Sequence, residues 1–245
     1  MIVFSIKNWG AWAPGLEQPE NWRRWAAGEA VIAAEGEPKA AAMPPMLRRR
    51  AARQVRMAFE AAQTCAQGRK NIPVVFCSRH GEVRRSIEIL EPLARDEAIS
   101  PAAFSLSVHN AISGLYSIAA EDSAPMTAMA GGVDSAAQGL IEACAQIATG
   151  AEEVLLVTYD EPLPDVYQAY RDAPESPYAW AWLITAPQGR AYSWSWSKET
   201  QTPNVAAPEA EAEAFGLRLL RCFLSDAEQQ VLQGHAKQWC WRRHA

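Results

Sequence analysis

The tightest constraint on this chain is the pair Gly131-Gly132, which stands between a short extended stretch and a helical one. Residues 105–157 read as helix, strand, glycine turn, helix, strand. Within 110–120, Ile112, Leu115, Tyr116 and Ile118 recur at roughly helical spacing, and 126–130 is short, apolar and extended. The two glycines supply the permissive backbone that a sharp turn needs. Asp134 or Ser135 then suits the cap of a helix that runs through Leu140, Ile141, Cys144 and Ile147 to Gly150. Residues 154–157 follow as a buried strand. A strand that turns on glycines into a helix N-terminus is where many α/β enzymes hold a nucleophile, because that helix end stabilises negative charge.

The flanking segments extend the same α/β pattern. Residues 1–6 read as a strand and 9–15 as the loop leaving it, 19–27 as a brief helix, and 29–45 as irregular. Residues 46–67 read as one helix with Leu47, Ala51, Val55, Ala58 and Ala62 on one face. Its first half carries Arg48, Arg49, Arg50, Arg53 and Arg56, either a solvated basic face or a site for an anionic partner. Residues 72–77 form an apolar strand, and 79–98 an amphipathic helix built on Val83, Ile87, Leu90 and Leu93, which Pro92 should kink or end. Residues 179–185 and 191–197 alternate by twos around Pro187-Gln188-Gly189, a hairpin signal, with the second strand expected at a sheet edge. Residues 198–208 read as a polar linker. A helix through Phe215, Leu217, Leu220 and Phe223 follows, and a further helix from Ser225-Asp226 to Val231.

At 245 residues the chain is long enough for a full core. Its net charge of -5 argues against a nucleic-acid partner. No stretch reaches the roughly 18 consecutive apolar residues of a membrane span, and no signal peptide opens it, so a cytoplasmic location and no membrane association are expected. The 5 cysteines have no metal-ligand spacing, and no metal or cofactor is expected. Cys144 lies about three turns into its helix, away from the end that would activate it, so catalysis is not assigned there. Asp160 and Glu161 adjoin at the end of a strand without a partner motif and read as solvated loop carboxylates. The 10 tryptophans imply either a large core or a large partner surface.

Residues 105–157 resemble the N-terminal half of a β-ketoacyl synthase. Asn110-Ala111-Ile112-Ser113-Gly114 is similar to that family's Asn-x-x-Ala/Ser-Gly helix start, Pro125 to the proline before its nucleophile strand, and residues 149–154 to the join after its nucleophile helix. The family's spacing, counted forward from Asn110 or backward from Gly150, lands on Val133, where an active ketosynthase has its acyl-accepting cysteine. Valine forms no thioester. None of the 4 histidines sits in a motif like the family's decarboxylation histidines, and the chain is expected to lack the family's second half.

The resemblance implies an α/β, thiolase-like half-fold, a layered mixed sheet between helices. It covers residues 1–197, which form a ketosynthase-like domain, with 198–245 as a C-terminal helical extension outside it. It implies a non-catalytic chain-length factor of the aryl polyene type that forms a heterodimer with a competent ketosynthase. Phe104, His109, Asn110, Ile112, Met126 and Met129 are then candidates for the partner interface or acyl pocket, with residues 125–130 as the seam. Arg49 and Arg53 are candidates for docking an acyl carrier protein. The alternative is a free-standing serine hydrolase or acyltransferase using Ser135 with His109 and Asp134 or Asp160, although residues 133–137 lack the glycines of a nucleophile elbow.

Overall fold

A computed structural model describes residues 1–198 and 213–244. The strands are β1 (Ile2–Trp12), β2 (Val74–Cys77), β3 (Met126–Met129), β4 (Glu153–Asp160), β5 (Tyr178–Thr185), β6 (Ala191–Lys198), β7 (Gln229–Gln233) and β8 (Lys237–Arg243). The helices are α1 (Pro19–Ala26), α2 (Pro45–Arg50), α3 (Arg53–Ala66), α4 (Val83–Ala94), α5 (Pro101–Ser105), α6 (Ala111–Ala120), α7 (Ser135–Ala148) and α8 (Phe215–Leu224). The strands form a single sheet in the order β3-β2-β4-β5-β1-β6-β8-β7. β3, β2 and β4 run parallel, and the remaining neighbours pair antiparallel.

Alternation along the central strands sorts side chains to two cores. From β5, Tyr178, Trp180, Trp182 and Ile184 face one cluster with α1, α7 and α8, while Ala179, Ala181 and Leu183 face another with α3 and α6. Bulk on one face and methyl groups on the other explain the two helix layers. Alanine-rich α3 lies close against the small side chains, and the tryptophans fill the wider gap under α7 and α8. Most of the tryptophans serve the core: Trp22, Trp25, Trp180, Trp182, Trp194, Trp239 and Trp241 are buried on the α7 and α8 side, and Trp12 on the α3 side. Trp194 and Trp239 stack with ring centroids 5.2 Å apart.

Several local expectations change. The stretch 9–12 continues β1 instead of forming a loop. The arginine-rich helix breaks at Ala51-Ala52 into α2 and α3, and α4 continues past Pro92 to Ala94. The two alternating segments do not pair as a hairpin, because β1 lies between them, and β6 is interior, bonded to β1 and β8. Residues 225–231 do not form a helix: β7 and β8 make a hairpin whose Trp239 and Trp241 enter the core. A helix there would remove β7 and leave the outer edge of β8 unpaired. The linker expected at 198–208 lies almost wholly outside the described residues. Among those described, no helix is long and apolar enough to cross a membrane.

Candidate functional site

β3 runs along one edge of the sheet, with all four of its residues half-buried, and its end delivers the chain to the glycine turn. Gly132 takes φ +61°, a conformation that other residues enter at a cost. The Gly131 N–H donates to Ser135 Oγ at 2.9 Å, and the same hydroxyl donates to Gly132 O at 2.7 Å. The turn is thus closed by the first residue of α7. Val133, half-buried, precedes the helix N-cap Asp134. Asp134 Oδ1 accepts the His235 N–H at 3.0 Å, which ties this helix end to the turn between β7 and β8.

Val133 and Ser135 line an open-sided pocket with about 440 Å³ of atom-free space, shared with Arg79, His80, Asp160 and Tyr178. Burial and the neighbouring Arg79 lower the His80 pKa. Asp160, at the carboxyl end of β4, is not a solvated carboxylate. Although the residue as a whole is half-buried, its Oδ1 accepts from Ser78 Oγ and the Arg79 N–H, both at 2.8 Å, and Oδ2 accepts from Tyr178 OH at 3.3 Å. Desolvation raises its pKa to about 6 against the lowering effect of those bonds. Glu161 is enclosed as well, with its side chain 8% exposed, 3.1 Å from Arg53 and 3.7 Å from Arg84. Nearby Glu82, raised to about 7 by desolvation, pairs with Arg85 at 3.5 Å. The sequence hid these groups because desolvation comes from β2, β5 and α3, all distant along the chain. The usable signal was the position of Ser78 and Asp160 at the carboxyl ends of adjacent parallel strands.

The serine triad is not assembled. Ser135 is buried and its hydroxyl donates within the turn, His109 Nε2 is bonded to Ser78 O at 3.0 Å, and Asp134 and Asp160 are held by other groups. Cys65, Cys144 and Cys222 are buried, and desolvation pushes each thiol up to about 12, with Cys77 raised further. A strong helix end therefore meets a hydrocarbon branch at Val133, not an ionisable nucleophile.

The other candidate residues divide. Phe104 is 61% exposed, Asn110 is exposed, and His109, Met126 and Met129 are half-buried. Ile112 does not face outward: at 1% exposure it belongs to the core between α3 and α6. Arg53 is not free for docking either, since its guanidinium is bonded to Gly36 O and Glu161 and lies 3.9 Å from Glu37. Arg49 remains exposed at the end of α2.

A family model described as the β-ketoacyl synthase N-terminal domain matches residues 22–242. The chain belongs to this family. The match runs past Lys198 into the segment expected as a C-terminal extension. The fold is thiolase-like, with helices against both faces of the mixed sheet. A chain of the ketosynthase ApeO in complex with its chain length factor ApeC from Xenorhabdus doucetiae is 30% identical, with a TM-score of 0.87, and the match covers 99% of this chain and 100% of that one. The ishigamide ketosynthase/chain length factor is 16% identical with a TM-score of 0.64, over 81% of this chain and 68% of that one. A β-ketoacyl synthase from Burkholderia phymatum STM815 is 13% identical with a TM-score of 0.59, over 91% of this chain and 72% of that one. No curated protein matches the chain.

Proposed function

We propose that this β-ketoacyl synthase-like chain is a non-catalytic chain-length factor. It pairs with a competent ketosynthase and shapes that partner's acyl pocket in biosynthesis of the polyene, polyketide or fatty-acid kind, with the aryl polyene type favoured. The observation that carries the proposal is Val133. It occupies the nucleophile-equivalent position, on the turn at the N-terminus of α7 and beside the pocket, where covalent acyl transfer requires a side chain that can be acylated.

The free edge of β3 supports the pairing. Among the described residues no strand pairs with the outer edge of β3, where Met126 and Met129 are half-buried, and an antiparallel strand of a partner would satisfy its backbone groups. The similarity to a chain from a complex of ketosynthase and chain length factor is consistent with that partner. Phe104 and His109 lie on the segment assigned to the partner's pocket. An acyl carrier protein is assigned to the exposed arginines of α2, Arg49 foremost, and not to Arg53.

Co-expression with a ketosynthase encoded nearby, followed by size-exclusion chromatography, tests the reading. A stable heterodimer whose acyl group is found only on the ketosynthase is the expected result, with Met129→Asp weakening it. A well-behaved monomer that never co-purifies with a ketosynthase refutes it, as does acylation of this chain.

A further inference from the structure

His109 lies in the link between α5 and α6, outside regular structure, yet its ring is closely held. Nε2 is 3.0 Å from Ser78 O, and because a carbonyl only accepts, Nε2 carries the proton. Gly81, at φ +58°, lies against the adjoining Cδ2–Cγ edge of the ring, where an added Cβ would come within 2.8 Å of His109 Cδ2. Both contacts come from the loop 78–82, between β2 and α4. That loop is gripped at its start by Asp160. Ser78 Oγ donates to Asp160 Oδ1 while accepting the Gly81 N–H, each at 2.8 Å, and the Arg79 N–H donates to the same carboxylate oxygen.

The helix that follows offers little anchorage. α4 buries only Ile89, and its Leu90 and Leu93, read from the sequence as core positions, are 49% and 54% exposed. β4, by contrast, is hydrogen-bonded on both sides, to β2 and β5. Through the Asp160 carboxylate the rigid β4 holds the start of the loop, which the Ser78 N–H also ties to Met129 O at 3.2 Å, and the loop in turn contacts His109.

We propose that Asp160 is a positioning residue that sets how far the segment from Phe104 to His109 reaches, and through it the chain length that the ketosynthase pair releases. The proposal rests on the function given above. Asp160 acts through Ser78 and Gly81 and touches no acyl group itself.

The test compares Asp160→Ala with Asp160→Asn in two settings. One is the product-length distribution of the co-expressed complex, and the other is the ring ¹⁵N spectrum of His109 in the chain alone. Asparagine keeps an Oδ1 acceptor for both Ser78 and Arg79. Asp160→Ala is expected to shift the major product length and to lose the protected His109 Nε2 proton, while Asp160→Asn retains both wild-type signatures. Wild-type product lengths from Asp160→Ala overturn the proposal, and so does an equal shift from Asp160→Asn. If Asp160→Ala does not fold, Gly81→Ala, which presses on the Cδ2 edge of the ring, must shift the product lengths, and an unchanged distribution counts against the idea equally. A wild-type chain that never pairs with a ketosynthase overturns the proposed function instead, and survival of the His109 signal in Asp160→Ala then overturns the positioning role on its own.

Discussion

Replacing Asp160 by asparagine should flatten the dependence of stability on pH. In the folded chain desolvation moves this carboxyl from its ordinary value of 3.8 up to about 6. An acid raised in this way binds its proton more tightly folded than unfolded, so its contribution is complete below 3.8 and is lost as the pH climbs through about 6. At about 1.36 kcal/mol per pH unit, the difference between those two values corresponds to about 3 kcal/mol. Asparagine carries no charge to desolvate, and its Oδ1 can still take the bonds from Ser78 and Arg79. Glu82 and Glu161, which desolvation also raises, titrate in both proteins and drop out of the comparison. Urea denaturation from pH 4 to pH 7.5 at fixed ionic strength gives the stability of each protein. Because pH 4 already lies above 3.8, the asparagine variant should gain about 2 kcal/mol of this on the wild type across that range, with the change concentrated below pH 7. A stability difference that stays constant with pH, or that moves against the variant as pH rises, would refute the account of a desolvated carboxylate.

Three further outcomes follow from packing. Gly139→Ala places a methyl group into Cys77 Sγ where α7 lies on β2, and overpacking of this kind should cost about 1–3 kcal/mol in urea denaturation. Trp241→Ala removes a fully buried ring that contacts Phe4, Trp182, Tyr192 and Trp194, so a loss of about 3–5 kcal/mol is expected in the same assay. Iodoacetamide at pH 8 should label Cys240, which is half-buried, and leave Cys65, Cys77, Cys144 and Cys222 unmodified until the protein unfolds, as intact-mass spectrometry would read.

Local order set what was legible. The glycine turn, the helix after it and the alternating strands rest on contacts a few residues apart, so the α/β character, the helix of residues 111–120 and the position of Val133 could be read directly. The C-terminal hairpin carried a similar signal, since Trp239-Cys240-Trp241 alternates by twos, but the helical spacing of the segment before it masked the change of period. The same limit governed α4, where helical spacing predicted a buried stripe and the structure leaves Leu90 and Leu93 outside.

By itself the sequence determined that a hydrocarbon side chain stands at the head of α7, and that strands and helices surround it in the order of a ketosynthase-like half. The tertiary structure alone decided that β1 enters between β5 and β6, that Ile112 faces inward, that Arg53 is occupied by Glu161, and that Asp160 is desolvated. The reason is range. Periodicity and turn chemistry act between neighbours along the chain, whereas strand order, burial and charge pairing depend on which distant segments meet, and no local pattern encodes that choice.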